Sequence, residues 1–361
     1  MNTKNSPSRY RFLKAMYALA TIVALGLSGC SSPADKNTAQ ETEAFGSSEK
    51  TDSNLQTVSV ILDWTPNTNH TGIYVAQQQG LYEKAGLKVE IQGYSKAGVE
   101  AVLSNNGAQF GFTGLNGVAQ AHAGSQDIKI VYNLQQRASN GISVMESSPF
   151  QRPKDLDGKI FATYGADDAG AIVRKVIQGD GGKGHFETIV VGTGSYEAVV
   201  QGRADFAEGL TTWEGLEYKL RGKPLRFFYP DDYGVQTSPC LIGIGTTEKL
   251  INDNPKLVEK FIRATKQGYD YALQHPEEAA KILVEANPQA KINAELAIES
   301  QKMLAEEFWK DSRGETGLAD LDKWKTYLNY MSEEKLITDP QGNPTKRPPN
   351  AAELVTNEFV R

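Results

Sequence analysis

The stretch Val58-Ser59-Val60-Ile61-Leu62-Asp63-Trp64-Thr65-Pro66-Asn67-Thr68-Asn69-His70-Thr71-Gly72-Ile73-Tyr74-Val75-Ala76 changes its hydrophobic period halfway along, and that change sets the fold class. Residues 58–62 are a β-branched apolar run, read as a buried strand. Pro66 and Asn67 interrupt it, and 71–79 reads as a helix stopped by Gly80. The same order recurs downstream. Strands are predicted over 87–91, 109–113, 128–133 and 142–145, with helices over 98–105 and 116–123. Such alternation predicts an α/β unit with a mostly parallel sheet covered on both faces.

A second unit begins near residue 148. Ser148-Pro149 and Arg152-Pro153 break the chain, and Asp155-Leu156-Asp157-Gly158-Lys159 reads as a turn before a strand over 160–163. Strands follow over 189–191, 204–208 and 225–229, with helices over 169–178, 196–201 and 213–220. The glycine-rich run 179–184 lacks Walker spacing and follows a helix, so it is not a phosphate loop. After a strand over 241–246 the chain is helical, over 255–275, 277–285, 295–309 and 318–331. The expected organisation is two lobes. The first is 57–147 completed by 241–361, and the second, 148–240, is inserted into it. Two chain crossings then suit hinged closure around a ligand.

The N-terminus points to export. Lys4, Arg9, Arg11 and Lys14 precede an uncharged run over 15–27, right for a signal-peptide core and short for a membrane span. It ends in Leu27-Ser28-Gly29-Cys30, which resembles a bacterial lipobox. Residues 1–29 are therefore expected to be removed and Cys30 acylated (palmitate-type chains), with 30–56 as a polar tether. Removing 1–29 lowers Lys plus Arg from 38 to 34 against 44 Asp plus Glu, a balance of −10, which disfavours nucleic acid. With Cys30 lipidated, Cys240 has no disulfide partner. Four His and no Cys cluster leave little for a metal.

With Gly80-Leu81-Tyr82 and Gly86-Leu87-Lys88-Val89, the opening stretch resembles the ABC-transporter substrate-binding proteins related to thiamine-pyrimidine synthase, most of all their formylaminopyrimidine-binding members. Residues 107–113, 155–159, Ala204-Asp205-Phe206 and Trp213-Glu214 carry the resemblance further. It implies a two-lobe, type II periplasmic-binding fold. The chain would be a monomeric, lipid-anchored extracytoplasmic protein serving thiamine salvage. It would bind a small aromatic heterocycle and pass it to an ABC permease and its ATPase.

The residue chemistry suits a flat, nitrogen-rich ring. Asp63 accepts from an exocyclic amine, Trp64 offers a stacking face, and Asn67 both donates and accepts. His70 is either a ligand contact or a capping histidine. Thr113 and Gly114 line the cleft in the family, and Gly114 would let a ligand approach the backbone. From the second lobe Tyr164 would close over the ring. Glu208 and Glu214 are rival acceptors, Glu214 also being a plausible helix cap. Trp213 lies beside Glu214, and Tyr233 is expected near hinge and cleft. A riboflavin-type heterocycle, a sulfonate or nitrate are alternative ligands.

An enzyme reading is weaker. The related synthase uses pyridoxal phosphate and carries a Lys and a His where this chain has Thr113 and Gly117. A Schiff base needs an amine, so no cofactor is expected. Gly192-Thr193-Gly194-Ser195-Tyr196 lacks the second glycine of a nucleophile elbow.

Overall fold

The computed structural model describes residues 55–165, 169–345 and 348–361. The expected signal peptide, Cys30 and most of the tether lie outside them. Its last two residues do not: Leu55 is described, and strand β1 (Gln56–Ile61) already begins at Gln56.

Two five-stranded sheets form the frame. The first joins β1 to β2 (Leu87–Gln92), β3 (Phe110–Thr113), β4 (Ile128–Tyr132) and β10 (Gly243–Thr247), in the order β2-β1-β3-β10-β4. The second is β7-β6-β8-β5-β9. It is built from β5 (Asn140–Met145), β6 (Lys159–Thr163), β7 (Phe186–Val190), β8 (Phe206–Leu210) and β9 (Leu225–Phe228). Each sheet is mixed. β1 pairs in parallel with β2 and β3, and β6 with β7 and β8. β10 and β5 run antiparallel to both their neighbours. The mostly parallel pattern read from the sequence therefore covers half the pairings of each sheet.

Strand β5 corrects the expected lobe boundary. It pairs with β8 and β9, so the first crossing lies between Tyr132 and Asn140, not at 147/148. The prolines near 149 and 153 do punctuate the chain. However, Ile142 and Val144 bury among Phe161, Val176 and Phe206 of the second core, and that burial decides which sheet takes the strand. The chain returns between β9 and β10. The two crossing segments are tied together: Gln135 N–H donates to the Ile242 carbonyl at 2.9 Å, and Asn133 Nδ2 to the Pro239 carbonyl at 3.2 Å.

The first sheet is covered by α1 (Thr71–Gln78), α2 (Leu81–Lys84), α3 (Val99–Ser104) and α4 (Leu115–Ala123). The second carries α5 (Ala169–Gly179), α6 (Ser195–Val200) and α7 (Leu216–Leu220). After β10 come α8 (Glu248–Asp253), α9 (Pro255–Gln274), α10 (Pro276–Ala286), α11 (Ala294–Met303), α12 (Leu321–Glu333) and α13 (Ala351–Leu354). Helix α9 starts where Asn254 caps the Leu257 N–H and Pro255 fills the first turn. Its face of Leu257, Phe261, Thr265, Tyr269 and Ala272 is buried at helical spacing. Burying Phe261 alone contributes about 1.5–3 kcal/mol, and it stacks on Phe110 with ring centres 3.9 Å apart. α9 lies tightly on α1. A Cβ on Gly268 would strike the Gly72 carbonyl, and one on Gly72 the Tyr269 ring. Helices α12 and α13 complete the first unit through Trp324, Leu328 and Leu354, which share a core with α4. No helix among the described residues is long and apolar enough to cross a membrane.

Candidate ligand-binding cleft

Strand β1 runs out at the C-terminal edge of its sheet, the edge where open α/β sheets take ligands. Asp63 and Trp64 emerge there, and a one-turn 3-10 helix, Thr68–His70, closes the loop. Asn67 makes that turn. Its Oδ1 accepts from Asn69 N–H at 3.0 Å and its Nδ2 donates to the Thr65 carbonyl at 3.0 Å. Asn67 is buried and acts as a cap.

His70 is 0 % exposed and lies edge-on against Phe112, with ring centres 4.7 Å apart. Its Nδ1 accepts the Asn67 N–H at 3.2 Å. The proton is therefore on Nε2, which donates to Asp63 Oδ1 at 2.8 Å. His70 has no exposed surface to offer a ligand; it orients the partly exposed Asp63 carboxylate. Further buried bonds hold the loop from behind. Gln135 Nε2 donates to Asn69 Oδ1 at 2.7 Å, Tyr269 OH to the Asn69 carbonyl at 2.6 Å, and Thr68 and Ser300 share a 2.6 Å hydroxyl bond.

Trp64 meets two other rings. Tyr94 is tilted against it at 5.6 Å, and Tyr164 from the second sheet meets it edge-on at 6.4 Å. Both tyrosines are about half exposed. Tyr94 was missed in the sequence. The signal available was a lone aromatic in the polar loop between β2 and α3.

Thr113 is buried at the end of β3, and its hydroxyl donates to Glu100 Oε1. Glu100, in the first turn of α3, is a partner for Thr113 that sequence reasoning missed. Gly114 has a different reason from the one expected. A Cβ there would collide with the Leu241 carbonyl, and the neighbouring Leu115 N–H donates to the Cys240 carbonyl at 2.9 Å. What approaches Gly114 is the returning crossing segment of the chain itself.

On the second sheet, Glu208 accepts from Asn140 Nδ2 at 2.9 Å. Glu214 lies in a wide π-type turn, Thr211–Gly215, and accepts the Leu210 N–H at 3.1 Å. Burial of its carboxyl, despite a partly open side chain, pushes its pKa from the ordinary 4.5 up to about 7. Thr211 ties this turn to the first crossing, its N–H and hydroxyl each donating to the Ser139 carbonyl at 3.0 Å. Trp213 does not join Trp64. It lines an open groove of about 810 Å3 between α7 and the α10–α11 corner, whose near wall is Thr65 and Pro66. Tyr233 is also elsewhere. The turn Pro230–Tyr233 seats on the end of α5, where a Cβ on Gly179 would strike the Tyr233 carbonyl. Its phenol pKa is raised by burial and by nearby Asp180. The structure thus sets Trp64 beside Tyr94 and Tyr164 and Asp63 beside His70, pairs Thr113 with Glu100, and carries Glu208 and Glu214 on the second sheet and the turn after it. Among the described residues no group of three or more His, Cys, Asp or Glu is placed to hold a metal.

The arrangement offers aromatic faces and carboxylate acceptors, a set that holds a flat ring bearing N–H groups. Against known proteins, the model of the family described as NMT1/THI5 like matches residues 67–279, more than half of the chain. The formylaminopyrimidine-binding protein of Halalkalibacterium halodurans is 26 % identical over 84 % of this chain and 90 % of its own. The riboflavin-binding protein RibY of Chloroflexus aurantiacus is 24 % identical over 95 % and 96 %. A 4-amino-5-hydroxymethyl-2-methylpyrimidine phosphate synthase of Legionella pneumophila is 24 % identical over 65 % and 75 %. Among solved structures, the ligand-binding component of an ABC-type import system from Staphylococcus aureus has a TM-score of 0.64 at 12 % identity, covering 84 % and 98 %. The alkanesulfonate-binding protein SsuA of Xanthomonas axonopodis pv. citri has 0.62 at 12 %, covering 83 % and 98 %. These likenesses establish the two-lobe periplasmic-binding-protein fold.

Proposed function

Because the chain belongs to the NMT1/THI5-like family, we propose that it is the extracytoplasmic substrate-binding component of an ABC importer, anchored through Cys30. In this reading it closes over a thiamine-precursor pyrimidine and delivers it to the permease. The observation that carries the reading is Trp64 with Tyr94 and Tyr164 around it and Asp63, aimed by His70, beside it. In the closed complex the three rings part and cover the ring's faces, and Asp63 accepts from its amino group. The likeness to the formylaminopyrimidine-binding protein over most of both chains supports the ligand class.

The riboflavin-binding relative, matched over nearly the whole of both chains, favours a second reading in which the ring is a larger heterocycle. The synthase relatives keep an enzyme in view, but the Thr113 hydroxyl is engaged with Glu100 and offers no amine to a carbonyl cofactor.

Thermal unfolding of the protein against formylaminopyrimidine, aminomethylpyrimidine, hydroxymethylpyrimidine, thiamine, riboflavin, taurine and nitrate tests this. At 100 times its dissociation constant a true ligand adds about 2.7 kcal/mol. A shift confined to the pyrimidines is the expected result. A shift with riboflavin alone favours the second reading, and one with taurine or nitrate alone discards both.

A further inference from the structure

The two lobes also touch through α5, the helix that follows Tyr164 along the chain, and α12 of the first lobe. The Lys175 ammonium on α5 makes an ion pair with the carboxylate of Glu334, the residue that ends α12. Tyr330, one turn before Glu334, packs against the cores of both lobes. Ala171, one turn before Lys175, packs against the core of the first lobe. Residues four apart share a helix face. Each helix therefore brings to the other lobe an apolar residue and, one turn on, a charge.

Glu334 breaks a local rule. A carboxylate at a helix C-terminus faces the negative end of the macrodipole, where a lysine would be favoured. The helix end itself is fixed. Lys335 is left-handed at φ 58°, its N–H donates to the Ser332 carbonyl at 3.0 Å, and the Leu336 N–H donates to the Met331 carbonyl at 2.8 Å. Met331 and Leu336 are both buried in the first-lobe core, so α12 does not rewind to relocate the charge. Among the described residues, Lys175 of the other lobe is its one ion-pair partner. The two side chains are 28 % and 34 % exposed, so the pair is partly shielded from salt. Opening the lobes separates these charges, leaves Glu334 at an uncompensated helix end and uncovers Tyr330. Each of these disfavours the open state relative to the closed one.

We propose that the contact between α5 and α12 is a latch: the Lys175–Glu334 pair, together with Tyr330, holds the two lobes closed and slows release of the ligand. The inference rests on the binding role proposed above, but its first test needs no ligand. Small-angle scattering compares the ligand-free full chain with Lys175→Glu, Glu334→Lys and the double exchange. Each single change sets like charges face to face and should increase the radius of gyration. The double exchange restores the pair with reversed polarity and should return the radius to the wild-type value. Glu334→Lys also suits the helix dipole, so its thermal unfolding midpoint should not fall. A merely structural ion pair would lower the midpoint without widening the chain. That result, an unchanged radius in both single variants, or a double exchange that stays wide overturns the latch. The second test follows formylaminopyrimidine leaving the cleft by stopped-flow. Dissociation should be about fivefold faster in each single variant and return to within about twofold in the double exchange, with association little changed. Equal dissociation rates in all four chains would overturn the role in release. If the wild type binds no formylaminopyrimidine, that ligand reading falls, and the scattering decides the latch.

Discussion

The two faces of the cleft are built differently. On the first sheet, Asn67, Asn69 and His70 are buried and each makes at least two hydrogen bonds, so the loop that presents Asp63 is fixed before any ligand arrives. On the second, Tyr164 is half exposed, and Glu214 bonds within its own turn, which is anchored to the first crossing through Ser139. One face is a preformed floor. The other, in the binding role proposed above, is a cover. In a two-lobe binder this division places binding strength on the floor and residence time on the cover.

The largest expected effect tests the rigidity of the floor. His70→Ala removes two buried bonds and leaves a cavity against Phe112. Denaturant unfolding should show a loss of about 3 kcal/mol. A loss below about 1 kcal/mol would mean the floor is not the rigid face. Next, Trp64→Ala should raise the dissociation constant about 30-fold, roughly 2 kcal/mol, with the unfolding midpoint nearly unchanged. An equal loss of stability would make Trp64 a core residue rather than a floor residue.

The third prediction concerns the cover. The Glu214 carboxyl titrates at about 7 in the fold against an ordinary 4.5, so the folded chain holds a proton that the unfolded chain releases between these values. The stabilisation is complete below pH 4.5 and is lost as pH rises to about 7. Glu214→Gln should flatten that slope and raise stability at pH 8 by about 1–2 kcal/mol, less than the full linkage value because part of the side chain is open to water. An unaltered slope would place the charge at the surface. The smallest effect is Tyr164→Ala. It should weaken binding about fivefold, nearly all in the dissociation rate by stopped-flow. A change confined to association would assign Tyr164 to the floor instead.

Much of this frame was legible from the residues. The apolar run of β1, the stop of α1 near Gly80 and the buried stripe of α9 follow from local periodicity, and the structure repeats them within a residue or two. The functional pairings were less legible. Asp63 was visible as an acceptor, but its orienting partner was read as a possible contact, because a histidine seven residues away reveals neither burial nor which nitrogen is bonded. Tyr94 and Glu100 lie on a separate strand-loop-helix passage and carry no motif. Trp213 and Tyr233 are aromatic and close in sequence to plausible acceptors, yet their turns carry them to a groove and to the end of α5.

By itself, the sequence determined the alternation of strands and helices, the strand end that presents Asp63 and Trp64, and the turn that follows, since each depends on side chains within one or two turns of chain. Tertiary structure alone decided the rest. It placed β5 in the second sheet, filled the space above Gly114 with the returning backbone, aimed Asp63 through His70 and set Glu100 beside Thr113. These outcomes depend on burial and on bonds between residues far apart along the chain. Local propensity does not encode such contacts, and the free energy of the packed whole selects them.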